Sequence, residues 1–138
     1  MCDIKIEAKE RLIKYGVKPS LQRMAIMEYL MSNFIHPTAD KIYNDLYPAI
    51  PTLSKTTVYN TLNLLSKQGA ILALNIDEKN VRYDVDISKH AHFQCKSCGS
   101  VYDVSVEDAH FSALKSPEDL LITECHIYYK GYCRKCRS

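Results

Sequence analysis

The chain has 138 residues, of which 46% are hydrophobic and 25% charged, a balance typical of a soluble globular protein rather than a disordered one. No apolar run approaches the roughly 20 residues of a membrane span, and the first residues lack a signal-peptide pattern, so we expect a cytoplasmic protein without a membrane partner. Residues 1–83 carry 11 Lys/Arg against 8 Asp/Glu, whereas 84–138 carry 7 against 8, which mildly favours nucleic-acid binding by the first part.

Two helices are predicted at the start of the chain. Four apolar residues recur at helical spacing before Gly16: Ile4, Ala8, Leu12 and Tyr15. They predict an amphipathic helix over residues 4–15 that ends at the glycine. Ser20 can cap a second helix over residues 21–33. We expect its core face to be formed by Met24, Met27, Leu30 and Met31.

His36 precedes Pro37, which keeps it out of a helix, and Thr38 can cap a third helix over residues 39–46. Considered alone, a histidine in such a turn is expected to face solvent.

A fourth helix over residues 55–68 is predicted between Ser54 as its cap and Gly69. Its core face carries Val58, Leu62 and Leu65. The other faces carry small and polar residues able to enter a DNA groove, with Tyr59 also exposed: Thr56, Thr57, Asn60, Asn63 and Lys67.

Two β-prone runs, residues 71–76 and 81–84, flank a charged turn and predict a hairpin. Four helices followed by a hairpin indicate a winged helix. The alternative is a helical bundle with an unrelated hairpin. Farther on, we predict strands over residues 100–106 and 120–129, with a helix over 105–114 between them.

Two Cys-x2-Cys pairs lie in the second part of the chain, Cys95 with Cys98 and Cys133 with Cys136. In a reducing compartment this doubled spacing indicates a closed tetrahedral thiolate site for structural zinc. A thioredoxin-like redox pair is disfavoured, because neither pair begins a helix after a buried strand.

His90 and His92 point to the same side if the residues before Cys95 are extended, so the two imidazoles can chelate a second ion.

Four motifs in order resemble the ferric uptake regulator family of metal-dependent repressors: Pro19-Ser20-Leu21-Gln22-Arg23, His36-Pro37-Thr38-Ala39, Thr57-Val58-Tyr59-Asn60 and His90-x-His92-x2-Cys95-x2-Cys98. The resemblance covers nearly the whole chain. It implies an α+β protein that acts as a homodimeric transcription factor, not as an enzyme. The implied domains are a winged-helix DNA-binding domain over residues 1–83, a ligand-bearing hinge over 84–92 and an αβ dimerisation domain over 93–138. Strands of two dimerisation domains could then pair across a two-fold axis.

The resemblance makes the fourth helix the recognition helix, which reads operator DNA. Its base contacts would come from Tyr59 and Asn60, and asparagine suits bidentate pairing with adenine. The implied DNA-binding residues are Arg23, Lys55, Thr56, Thr57, Tyr59, Asn60 and Arg82. Among these, Arg23, Lys55 and Arg82 are expected to contact phosphates.

The resemblance also implies a regulatory metal site formed by His36, Asp84, His90, His92 and Asp103. Imidazoles with two carboxylates suit Fe(II), Mn(II) or Zn(II). Because His36 belongs to the first domain, the ion would close the two domains into one arrangement. Asp86 is the rival of Asp84, since both face the same way along a strand.

Asp103 is typical of the peroxide-sensing branch of this family, whereas the iron-uptake branch has glutamate there. The resemblance therefore implies a repressor that binds DNA with Fe(II) or Mn(II) and is released when peroxide oxidises His36 or His90. The alternative is a repressor of the same family that senses iron or zinc sufficiency.

Some relatives carry a third metal site, but Lys89, Ala91 and Cys125 replace its ligands here, so we expect none. Cys2 and Cys125 are then spare thiols, and His110 and His126 ordinary histidines.

Two functions of other classes compete with repression. A metalloenzyme using the His/Asp site is disfavoured, because no separate general base or substrate motif accompanies it. A zinc-ribbon interaction module is disfavoured by the winged-helix pattern.

Overall fold

The computed structural model describes residues 3–33, 36–77, 80–88, 90–105, 119–121 and 125–137. The chain divides into two compact units, Met1–Ile87 and Ser88–Ser138. The first contains α1 (Ile4–Lys14), α2 (Leu21–Ser32), α3 (Ala39–Leu46), α4 (Lys55–Lys67), β1 (Leu72–Leu74) and β2 (Arg82–Asp84). The second contains β3 (Ala91–Cys95), β4 (Val101–Val104) and β5 (Tyr128–Gly131). Within the described ranges, no helix is long and apolar enough to cross a membrane.

Each helix of the first unit begins at a polar side chain that accepts a hydrogen bond from the first turn. The capping residues are Asp3, Ser20, Thr38 and Ser54. Such a cap contributes about 1 kcal/mol because it satisfies a backbone N–H that has no partner inside the helix. The predicted caps of α2, α3 and α4 are confirmed. Gly16 and Gly69 follow α1 and α4 with φ of 74° and 83°, a backbone conformation that glycine adopts without strain.

The predicted core face of α2 is only partly right. The buried residues of α2 are Ile26, Met27, Tyr29 and Leu30. Met24 and Met31 are only partly buried, at the margin of the core. Tyr29 can be buried because its hydroxyl donates a 2.6 Å hydrogen bond to Asp45 on α3. In contrast, the predicted face of α4 is confirmed, since Val58, Leu62 and Leu65 are fully buried.

The wing hairpin, β1 with β2, is antiparallel and pairs Leu72 with Asp84 and Leu74 with Arg82. It follows α4 directly, as predicted for a winged helix. Asp84 is therefore fixed at the base of the hairpin, whereas Arg82 lies two residues closer to its turn.

The second unit contains a three-stranded sheet of order β4-β3-β5. β3 is antiparallel to β4 and parallel to β5, whose Tyr128 pairs with His92. The predicted strand over residues 100–106 is shorter in the structure. The strand predicted over 120–129 is wrong in its bounds, because residues 120–121 and 125–127 are not in a strand and β5 begins at Tyr128. The alignment with β3, rather than β-propensity alone, sets where β5 begins. The predicted helix over 105–114 lies outside the described residues apart from Ser105.

Candidate metal centres and nucleic-acid surface

Four cysteines of the second unit converge because two strands end side by side. Cys95 is the last residue of β3, and Cys98 lies in the turn that follows it. Cys133 and Cys136 occupy the turn after β5, which is parallel to β3. The four Sγ atoms all lie within 4.8 Å of one another. The two predicted Cys-x2-Cys pairs therefore form one cluster.

The cluster favours negative charge on the sulfur of Cys95 and disfavours it on that of Cys136. Backbone N–H groups of Cys98 and Cys133 donate to the Cys95 Sγ at 3.5 and 3.4 Å, and these bonds lower the pKa of Cys95 to about 6. The Cys136 thiol hydrogen-bonds to Cys133, which raises the pKa of Cys136 to about 11. Without a cation the four thiols thus cannot all ionise together. A set of four thiolates with no open position suits structural Zn²⁺.

His36 and Asp84 form a buried pair in the first unit. His36 Nε2 lies 3.4 Å from Asp84 Oδ2, and both side chains are 5% exposed. The expectation that a lone His36 would face solvent is therefore wrong, because the turn directs the imidazole toward the end of β2. His36 has φ of 53°, in the left-handed region that non-glycine residues seldom adopt. Asp86, the rival of Asp84, is exposed, and its N–H donates to Asp84 Oδ1 at 2.9 Å.

His90, His92 and Asp103 form a second cluster, within the second unit. The β3–β4 register sets His92 opposite Asp103. Asp103 Oδ1 lies 3.2 Å from His90 Nε2 and 3.4 Å from His92 Nε2. His90 Nδ1 is 2.6 Å from the Ser88 carbonyl, which can only accept, so Nδ1 is the donor there and Nε2 is the ring nitrogen that faces Asp103. The two histidines thus share one side, as predicted.

The exposed face of α4 carries the polar residues predicted to read DNA. Lys55, Thr56, Tyr59 and Asn60 are exposed, and Thr57 is half-buried. A surface groove of about 440 Å³ runs between the start of α2 and α4. Its lining consists of Lys18, Pro19, Ser20, Gln22, Arg23, Thr57, Asn60 and Thr61.

Three of the predicted DNA-binding residues are held by contacts with neighbouring residues. The Arg23 guanidinium donates to the Lys18 carbonyl at 2.8 Å. The Tyr59 hydroxyl donates to Asp40 at 3.1 Å, which raises the pKa of Tyr59. Lys55 Nζ lies 5.6 Å from the centre of the Tyr43 ring. Such contacts limit the side-chain freedom that would otherwise be lost on binding.

Arg82 differs from the other predicted DNA contacts. It is half-buried, and its Nη1 and Nη2 bond to the His36 carbonyl at 3.2 Å and to Asp77 at 3.4 Å. The sequence also gave no indication of Arg11, whose guanidinium donates to the carbonyls of Ala70 and Val85. These carbonyls are 59 and 74 residues from Arg11 along the chain, and a backbone carbonyl does not depend on the residue type, so the sequence pattern cannot indicate such bonds.

The structure describes three of the residues for which the sequence predicts no metal-binding role. Ala91 is buried, Cys125 is exposed, and the His126 ring lies 5.9 Å from that of Tyr128. Cys2, Lys89 and His110 lie outside the described residues.

The chain is similar in sequence to known regulators. The model of the ferric uptake regulator family matches residues 14–128. The peroxide-responsive repressor PerR of Staphylococcus epidermidis is 33% identical over 96% of this chain and 89% of its own length. The peroxide operon regulator of Bacillus subtilis is 34% identical over 94% of this chain and 91% of its own length.

Solved structures show the same fold. The ferric uptake regulator Fur of Helicobacter pylori has a TM-score of 0.75 and 23% identity, covering 98% of this chain and 92% of that one. A structure of PerR from Streptococcus pyogenes, described as a basis for peroxide sensing and gene regulation, has a TM-score of 0.54 and 29% identity. It covers 98% of this chain and 94% of that one. The winged-helix and αβ architecture predicted from the sequence is therefore confirmed.

Replacing Cys98 by serine should remove zinc and unfold the second unit, because the free energy of metal binding contributes directly to folding at such sites. Elemental analysis should show most of the zinc lost, and limited proteolysis should cut first within residues 88–138. Cys125→Ser, which changes an exposed thiol outside the cluster, should keep its zinc. A Cys98→Ser protein with full zinc and unchanged proteolysis would contradict the assignment.

Proposed function

The chain belongs to the ferric uptake regulator family, and from that premise we propose that it is a cytoplasmic, homodimeric repressor released from operator DNA by peroxide. The relatives that support this proposal are named as regulators rather than enzymes. The observation that carries it is the position of Asp103. One of its carboxylate oxygens, Oδ1, lies within 3.4 Å of the Nε2 atoms of both His90 and His92. An aspartate in this place is the feature of the peroxide-sensing branch that the sequence predicts.

The proposed regulatory site joins two partial sets of ligands. His36 and Asp84 supply one imidazole and one carboxylate, and His90, His92 and Asp103 supply two imidazoles and one carboxylate. Neither set alone provides the five or six ligands common for Fe(II) or Mn(II), whereas together they provide five donors and two negative charges. An ion bound by both sets would fix the DNA-binding unit relative to the dimerisation unit.

DNA binding in this proposal depends on α4. Tyr59 and Asn60 approach base edges, and Thr56 and Thr57 border the same face. Arg23 and Lys55 neutralise phosphates, so affinity should fall with salt. A homodimer would present two such helices to two half-sites. Arg82 is left out of these contacts, because its guanidinium bonds to His36 and Asp77 within the first unit.

Peroxide release depends on histidine chemistry. A bound Fe(II) would supply the one-electron chemistry that activates peroxide beside its ligands, and it would be regenerated, because the two electrons that reduce the peroxide come in the end from the imidazole. In the net two-electron oxidation one peroxide oxygen is added to an imidazole carbon of His36 or His90, and the other leaves as water. An oxidised ring is a poorer donor, because the added oxygen withdraws electron density from the ring nitrogens. Loss of His36 would also disturb its pair with Asp84, so the ion and then the DNA would be released.

Peroxide should add one oxygen atom to the peptides containing His36 or His90 when the zinc-containing protein carries Fe(II). The same treatment with Mn(II) should leave both masses unchanged, because Mn(II) does not reduce peroxide under these conditions. Peptide mass spectrometry and operator-DNA binding on the same samples check this, with DNA release expected only in the iron sample. If DNA binding persists with both peptides unmodified, an iron- or zinc-sufficiency sensor becomes the better function.

Asp103→Glu should keep metal-dependent DNA binding but slow oxidation by roughly tenfold or more, because one added methylene displaces the carboxylate from its place between the imidazoles. The rate of oxygen addition after peroxide treatment measures the effect. Asp86→Glu is the matched control, since it lengthens an exposed carboxylate outside the proposed ligand set and should oxidise at the normal rate. An unchanged rate in Asp103→Glu would remove position 103 as the determinant of peroxide sensing.

A further inference from the structure

The turn that carries His36 is attached to the wing hairpin by its backbone. The Tyr83 N–H donates to the Pro37 carbonyl at 3.0 Å, and Thr38 forms an isolated antiparallel bridge with Arg82. Residues 36–38 thus lie along the edge of β2. The imidazole of His36 is consequently directed by a strand that also ends in Asp84.

Arg82 adds a side-chain link between the same turn and the far end of the hairpin. Its Nη1 donates to the His36 carbonyl at 3.2 Å, and its Nη2 pairs with Asp77 Oδ2 at 3.4 Å. The Arg82 and Asp77 side chains are only 22% and 16% exposed. A planar guanidinium can hold two acceptors at a fixed separation, which an ammonium group cannot do with the same geometry. The φ of 53° at His36 is one that a histidine keeps only when its neighbours constrain it.

We propose that Arg82 is a positioning residue that fixes His36 for the regulatory metal and links that metal to the wing, rather than a phosphate contact. This inference rests on the proposed function, because it takes His36 as a metal ligand. Arg82 acts on the carbonyl of His36, and so sets where the imidazole of the same residue lies. The same guanidinium also bonds to Asp77, which precedes the turn of the hairpin. The position of the His36 imidazole is thereby linked to the conformation of the wing.

The phosphate-contact role and the positioning role predict opposite changes. A phosphate contact contributes to the salt dependence of DNA binding and leaves metal affinity alone. A residue that orients a ligand changes metal affinity, typically by 10- to 100-fold, whether or not DNA is present.

The test uses the full zinc-containing chain without DNA, titrated with Mn(II) alone in competition with a fluorescent chelator. Arg82→Gln should weaken Mn(II) binding by roughly 10- to 100-fold. Arg82→Lys keeps the charge but should retain most of that loss, and Asp77→Asn should shift affinity in the same direction. Zinc content and thermal unfolding of the helices, followed by circular dichroism, should stay close to those of the unmodified protein. If Arg82→Gln does not fold, Arg82→Lys and Asp77→Asn decide the question.

Lys55→Gln serves as the matched control, because Lys55 is an exposed cation predicted to contact phosphate. At saturating Mn(II), it should reduce the slope of log affinity against log salt by about 1, with normal Mn(II) affinity. Arg82→Gln should leave that slope unchanged. The inference is overturned if Arg82→Gln, or the lysine variant in its place, binds Mn(II) normally.

His36→Ala distinguishes failure of the positioning role of Arg82 from failure of the proposed function. If His36→Ala abolishes Mn(II) binding while the Arg82 variants bind normally, the positioning role fails and the proposed function stands. If His36→Ala binds Mn(II) as tightly as the unmodified chain, both fail.

Discussion

Four sulfurs within 4.8 Å of one another cannot all carry charge unless a cation lies among them. This constraint governs the second unit, because the cysteines stand at the ends of β3 and β5 and thereby fix these two parallel strands side by side. The same β3, paired with β4, sets His92 opposite Asp103. A structural zinc therefore supports the geometry of a second set of ligands. That set is chemically different and includes none of the four cysteines.

In the first unit, hydrogen bonds rather than a metal ion hold the ligands in place. Its partial site, His36 with Asp84, is held by the pairing of a turn with β2 and by the guanidinium of Arg82. Each unit thus presents preorganised ligands, and neither of these two described sets forms a complete coordination shell by itself. In our proposal the exchangeable ion supplies the missing link. The free energy of binding this ion would then be available to fix the DNA-binding unit. A metal can act as a co-repressor only if its binding favours the DNA-binding conformation in this way.

Local features were predictable from the sequence, and long-range ones were not. The caps at Ser20, Thr38 and Ser54 follow from bonds that span three residues, and the cysteine spacing indicated the zinc cluster. In contrast, the start of β5 depends on its alignment with β3. The burial of His36 beside Asp84 and the bond from Arg82 to the His36 carbonyl likewise depend on contacts 46 or more residues apart in sequence. The family resemblance implied a phosphate contact for Arg82, whereas its Nη1 and Nη2 bond within the first unit.

In the proposed mechanism one exchangeable ion is bound by both units. Crystals of the zinc-containing protein with Mn(II), measured at the manganese absorption edge, test it directly. If both units hold the ion, one manganese peak per chain should lie at coordination distance from His36 and Asp84 as well as from His90, His92 and Asp103. A manganese ion held by ligands of one unit alone, with His36 and Asp84 elsewhere, would contradict it.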